Sequence, residues 1–173
     1  GAIPRSHPQS LGFAGMHGKK AANYAINDAD LVIAIGSRFG DRQTGNLDKY
    51  TEGTKFIHID IDPAEIDKNV AHSLGLAGDM KTILALLMKR EPTSNRADWW
   101  AKIHAWEDTY DYDYQVNRLT VPWAMHSVAK ATAGKPCAFA TDVGQHQMWA
   151  ALHLAIEEPR TWLTSGGLGT MGF

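Results

Sequence analysis

CAFATDVGQHQMWAALHLAIEEPRTWLTSGGLGTMGF, residues 137–173, is the stretch on which the reading of this chain turns. It contains two short apolar runs, each ending in a small or polar turn. The first turn leads into a helix-like segment and the second into a glycine cluster with no helix after it. In a parallel α/β sheet, ligands bind just past the carboxyl ends of the strands. TDVGQHQ and TSGGLGTMG are therefore the positions where a cofactor would sit.

Length and composition set the outer bounds. At 173 residues and 44% hydrophobic content, one domain or one and a half can build a real core. The formal net charge is -2, and the Lys and Arg residues are scattered. That pattern argues against nucleic acid or an anionic membrane as partner. No apolar run approaches the roughly 20 residues of a bilayer span, and no signal-like pattern opens the chain, so a soluble protein is expected. The single cysteine, Cys137, excludes an internal disulfide; lying inside an apolar run, it is expected to be buried and inert. A start without Met and an end in a glycine turn suggest a piece of a longer polypeptide, cut at both ends.

Along the chain, residues 1–18 read as a loop and Lys19–Asn27 as a short helix. Leu31–Ile35 is a compact apolar run stopped by Gly36, the signature of a strand buried on both faces. Lys55–Ile61 alternates, placing Phe56, His58 and Asp60 on one face and three isoleucines on the other. Asp62, Pro63 and Glu65 make a capping arrangement that predicts a helix after this strand. Asp79 caps a second helix, from about Met80 to Arg90. EPTSNRAD at 91–98 reads as a linker, Trp99, Trp100, Ile103 and Trp106 as one face of a short helix, and Tyr110–Tyr114 as connection. Pro122–Thr132 is a further helix, with Gly134 beyond its end. The fold class expected is α/β: parallel sheets covered by helices, in two partial domains.

The chemistry-bearing residues each carry more than one reading. Asp60 follows Gly36 at about the spacing at which an acidic residue receives ribose hydroxyls in dinucleotide-binding folds. It is equally a solvated carboxylate at a strand end, and a metal site with His58 lacks an evident third ligand. Gly167, Gly169 and Gly172 satisfy G-x-G-x-x-G after a strand, but without a downstream unit they say only that some group approaches the backbone closely. Gln145 and His146 stand at a helix start, where amides and dipole favour a phosphate; ordinary capping is the alternative. Met16 and His17 sit in a flexible or ligand-facing loop. Arg38 and Arg42, flanking Asp41, are either a surface ion pair or a phosphate clamp. No nucleophile triad and no paired carboxylates stand out.

Taken together, GMHG at 15–18, AIGSRFGDRQTGN at 34–46, HIDIDPAEI at 58–66, GD at 78–79, TDVGQHQMWAA at 141–151 and WLTSGGLGTMGF at 162–173 closely resemble the catalytic subunits of the acetohydroxyacid synthase (acetolactate synthase) family. The blocks stand in the family's order over nearly the whole chain. The resemblance implies that residues 1–90 are the C-terminal part of an FAD-binding middle domain, 91–120 a linker with a short helix, and 121–173 the N-terminal part of a thiamine-diphosphate-binding domain. Carried over residue by residue, Gly15, Met16, His17, Gly36, Ser37, Arg38, Arg42, Asp60, Asp79, Gln147 and Met148 would face FAD. Gly144, Gln145 and His146 would hold the diphosphate of thiamine diphosphate, Gly169 would accept from its aminopyrimidine, and Met171 would prop its bent form.

The same resemblance implies pyruvate and 2-oxobutyrate as substrates, joined with loss of carbon dioxide in branched-chain amino-acid biosynthesis. It further implies a homodimer or tetramer, with or without a regulatory small subunit, in the cytoplasm, or in a plastid or mitochondrion if eukaryotic. The activating glutamate and the Mg²⁺ ligands would lie outside this chain, so no catalytic or metal residue is assigned within it and the piece alone is expected to be inactive. One departure concerns the flavin: the family usually reads RFDDRVTG, whereas Gly40 here removes a carboxylate. The competing reading is a flavin- or nucleotide-binding module without catalysis.

Overall fold

The computed structural model describes residues 2–50, 52–71, 74–90, 95–112, 114 and 118–173. The EPTS part of the expected linker (91–94) and one position of the Tyr110–Tyr114 connection (113) lie outside them. The chain forms two compact units, one running to Ala22 and resuming at Glu107–Phe173, the other comprising Asn23–Trp106. The elements in order are α1 (Lys20–Asp28), β1 (Leu31–Ile35), α2 (Asp41–Thr44), β2 (Lys55–Asp60), β3 (Leu74–Ala77), α3 (Met80–Leu87), α4 (Ala97–Tyr110), α5 (Val121–Thr132), β4 (Phe139–Thr141), α6 (Gln145–His153) and β5 (Trp162–Thr164).

In the unit comprising Asn23–Trp106, β1, β2 and β3 form a parallel sheet in that order, with Ile35 opposite Ile59 and Asp60 opposite Ala77. Ala34, Phe39 and Phe56 make its core, with Val32, Tyr50 and Val70 packed against them. Ile59 is fully buried. Phe39 holds a backbone φ of 48°, uncommon for a bulky residue, and its ring meets Phe56 edge-on at 5.8 Å. Burial of that ring offsets the local strain and so shapes the loop after β1.

Two expectations fail here. Leu31, Ile33 and Ile35 are 44%, 50% and 37% exposed, so β1 is not buried on both faces. Alternation sends Val32 and Ala34 to the aromatic core and the other three to a face that is only partly covered among the described residues. The helix expected after β2 is a single 3-10 turn, Pro63–Glu65. Asp62 does cap it, accepting from the Ala64 amide at 2.9 Å, but Ile66 is already extended and Asp67 has φ 63°. β3, which the residue pattern did not reveal, follows. The tryptophan helix, α4, is longer than expected at 14 residues.

In the other unit, β4 and β5 pair in parallel, Phe139 opposite Trp162 and Thr141 opposite Thr164. Ala150, Leu154 and Ile156 form the core with Met125, Ala129, Phe139 and Trp162. Thr120 caps α5 through the Trp123 amide, and Pro122 fits its first turn. Cys137 is exposed, contrary to expectation, because β4 begins only at Phe139 and the thiol precedes the packed run.

The end of α6 is fastened by His153, which is 8% exposed; its Nδ1 lies 2.8 Å from the Tyr114 hydroxyl, and the ring stacks on Trp149 and meets Tyr112 edge-on at 4.5 Å. Burial, then the charges of Lys19 and Arg5, push the imidazole down to about 4. Above the ordinary value of 6.5 both folded and unfolded rings are neutral. Below it the unfolded chain takes up a proton that the folded chain refuses until about 4. Stability is therefore expected to fall from pH 6.5 to 4, read as a decreasing urea midpoint, and His153→Gln should flatten that fall. Equal pH dependence in both proteins would contradict the assignment.

Candidate functional site

The two turns singled out in the sequence lie side by side at the carboxyl edge of the β4–β5 pair. After β4 the chain passes through Asp142, Val143 and Gly144 into α6; after β5 it runs through Ser165 to Gly172. Backbone and side chains tie these edges together. The Ser165 amide donates to the Thr141 carbonyl at 3.3 Å, and the hydroxyls of Thr141 and Thr164 are 2.8 Å apart. The Thr170 amide donates to Ser165 Oγ at 2.6 Å, folding the glycine loop back on its strand.

Gly144 is the N-cap of α6 with φ 150°, a backbone conformation that side chains disfavour. A Cβ there would stand 2.9 Å from His146 Nδ1. The His146 ring therefore sits close against this glycine, and any other residue there would have to displace it. Gln145 and His146, both exposed, supply the first amides of the nine-residue helix α6, which no carbonyl of the helix itself can satisfy. A diphosphate fits this donor set: two outward amides, the positive end of the helix dipole and, when the ring is an imidazolium, His146 Nδ1–H.

A Cβ on Gly169 would lie 3.9 Å from Val143, so the loops are in van der Waals reach of each other. Met171, 69% exposed, projects from the glycine loop. Asp142 joins the two sides. Its carboxylate is 2.6 Å from His146 Nε2 through one oxygen, and accepts from the Gly172 amide at 2.9 Å through the other. The Gly172 amide first, and the His146 charge further, hold the Asp142 carboxyl below the usual carboxylate range against partial desolvation. The signal for Asp142 in the sequence is its position four residues before His146, across a helix start.

Gly15–His17 is a 3-10 turn packed against α6, so it meets the element that carries Gln147 and Met148. Gln147 is buried and its amide nitrogen donates to Thr164 Oγ1 at 2.7 Å, bracing α6 on β5. That bond gives Gln147 a structural duty beside the flavin contact implied for it.

The remaining sequence-designated residues belong to the other unit, at the carboxyl edge of β1–β2–β3. Gly36 donates its amide to the Ile59 carbonyl at 2.9 Å, and Gly78 donates to the Asp60 carbonyl at 2.8 Å. Gly36, Ser37, Arg38, Asp60 and Asp79 thereby gather at one sheet edge, with Arg42 in the short helix α2 that follows. His58 Nε2 lies 2.9 Å from the Ser37 carbonyl and donates to it, holding the loop from below; its ring packs edge-on against Phe39 at 5.0 Å. Asp60 is buried and accepts from the Asp62 amide at 2.9 Å. Asp79 caps α3 through the Thr82 amide and hydroxyl, which lower its pKa in that order. Arg38 and Arg42 are exposed, and the Asp41 carboxylate accepts from the Arg42 backbone amide at 2.9 Å. Among the described residues, no group of three His, Cys, Asp or Glu side chains is placed to hold a metal ion. Nor, among them, is any helix long and apolar enough to cross a membrane.

Two family descriptions match parts of the chain. The family described as "Thiamine pyrophosphate enzyme, central domain" matches residues 1–87, and "Thiamine pyrophosphate enzyme, C-terminal TPP binding domain" matches residues 142–173. Over its whole length the chain is 45% identical to an acetolactate synthase large subunit of Mycobacterium tuberculosis, covering 29% of that protein. It is 42% identical to an acetolactate synthase large subunit of Haemophilus influenzae, covering 31%, and 39% identical to the isozyme 3 large subunit of Escherichia coli, covering 32%. The chain thus spans about 30% of the length of these relatives.

Gly144→Ala tests this close packing. Forcing a side chain into that backbone region, against His146, should cost on the order of 1–3 kcal/mol, read as a lower urea midpoint. An unchanged midpoint would show that the turn does not need its glycine.

Proposed function

This chain belongs to the thiamine pyrophosphate enzymes, and from that premise we propose that it is an internal part of an acetolactate synthase catalytic subunit, inactive by itself. The observation that carries the reading is the joining of the loops Asp142–Gly144 and Ser165–Gly172 by the Gly172 amide on the Asp142 carboxylate, within the part matched as a thiamine-pyrophosphate-binding domain. Gly144, Gln145 and His146 hold the diphosphate; the Gly169 carbonyl accepts from the aminopyrimidine, and Met171 supports the ring system from its exposed position. When bound, thiamine diphosphate supplies the carbanion chemistry that decarboxylates one 2-oxo acid and joins the remainder to a second. The chain's own residues bind and orient it.

Pyruvate with pyruvate or with 2-oxobutyrate are the substrates of this reading, in branched-chain amino-acid biosynthesis. Gly36, Ser37, Arg38, Arg42, Asp60, Asp79, Gly15, Met16, His17, Gln147 and Met148 are the flavin contacts of this reading. A Cβ at Gly40, where the family carries a carboxylate, would meet no other atom within 4 Å. The Mg²⁺ ligands and the activating glutamate come from the rest of the catalytic subunit, as does the remainder of each domain: residues 1–90 of the middle domain, 91–120 the linker, and 121–173 of the cofactor domain. Assembly is as a homodimer or tetramer, with or without a regulatory small subunit, in the cytoplasm or an organelle.

The purified 173-residue chain, given thiamine diphosphate, Mg²⁺ and pyruvate, should form no acetolactate, and its titration with FAD should leave flavin fluorescence nearly unchanged. Acetolactate formation would overturn the inactivity. Tight FAD binding without product would favour a self-sufficient flavin-binding module.

A further inference from the structure

We infer that Asp142 is a positioning residue that joins the two cofactor loops, aiming the His146 imidazole while holding the glycine loop in place at Gly172. The inference rests on the reading of Gly144, Gln145 and His146 as the diphosphate site. It goes beyond that reading in assigning a role to a side chain that would not touch the cofactor.

The geometry is that of one carboxylate with both oxygens committed. Oδ1 takes His146 Nε2 at 2.6 Å and Oδ2 takes the Gly172 amide at 2.9 Å, from a residue 30 positions later in the chain. Because a carboxylate only accepts, Nε2 is fixed as a protonated nitrogen. The other ring nitrogen, Nδ1, lies beside Gly144, where a Cβ would be 2.9 Å away, and it can donate to a diphosphate only in the imidazolium, where both ring nitrogens carry protons. Plane, rotamer and proton of the imidazole are thus set from outside the helix.

Stability is not a sufficient reason for the pair. The side chains of His146 and Asp142 are 53% and 26% exposed, and ion pairs so placed contribute little to folding. What the arrangement does supply is orientation. A diphosphate drawing on His146 therefore acts on the group that also holds Gly172, and the two loops are coupled through a single side chain.

The test uses the full ¹⁵N-labelled chain. The Gly172 amide proton should shift with pH around a midpoint below the usual carboxylate range, and Asp142→Asn should abolish that shift. Inorganic pyrophosphate, used as the probe, should move the amides of both His146 and Gly172 in the wild-type chain. Asp142→Asn should weaken pyrophosphate on the order of tenfold, the effect typical of removing the orienting partner of a liganding histidine, with the urea midpoint little changed. Asp142→Glu should recover part of the affinity.

Equal pyrophosphate affinity in wild type and Asp142→Asn would overturn the positioning role and leave the diphosphate reading standing. A pH-dependent Gly172 amide with no pyrophosphate response in the wild type would instead defeat the diphosphate reading, and the positioning role with it. If Asp142→Asn loses its spectral dispersion, Asp142→Glu and the wild-type pH series decide: a Gly172 amide indifferent to pH overturns the bridge.

Discussion

Parallel pairing is the constraint on which the rest depends. Among the described residues both sheets are parallel, so within each sheet every strand delivers its carboxyl end to one edge. The loops after β1, β2 and β3 converge in one unit, and those after β4 and β5 converge in the other. No side chain has to reach far to meet its neighbours. The candidate cofactor residues lie at these edges, in α6, or in the turn packed on α6, because the pairing leaves the edges as the places where backbone amides face outward.

The edges are built from residues that serve fold and site together. Asp60 satisfies the Asp62 amide while presenting a carboxylate at the end of β2, and Asp79 caps α3 next to it. Gln147 braces α6 on Thr164 from the first turn of the helix, just after Gly144. Phe39 accepts an unfavourable backbone conformation so that its ring can enter the aromatic core, and in doing so it sets the path of the loop carrying Arg38. Such double duty means that a substitution at these positions perturbs local structure and ligand contacts at once. A loss of binding alone therefore says little about which was lost.

Much of this was legible in the residues. Leu31–Ile35, the alternation after Lys55, the caps at Asp62 and Asp79 and the paired turns at 141–147 and 164–172 announce strands and strand ends by local chemistry. β3 escaped because LGLA is four residues long and shows neither alternation nor β-branching, its strand state being conferred by pairing with β2. The exposure of Leu31, Ile33 and Ile35 escaped because an apolar run reports preference for burial and not the presence of a cover. Cys137 was misread for the same reason at the edge of a short strand. The flavin and thiamine assignments came from resemblance alone, since glycines and a helix start specify an anion but not which one. The Asp142 bridge needed coordinates, because Gly172 is remote in sequence.

The account stands or falls on what occupies the start of α6. The most direct measurement is amide chemical-shift mapping of the chain titrated with thiamine diphosphate and Mg²⁺. The largest changes are expected at Gln145, His146, Gly169 and Met171, with the β1 and β2 loop ends unaffected by this ligand. Changes confined to Gly36, Ser37 and Arg38, or absent from Gln145 and His146 at saturation elsewhere, would contradict it.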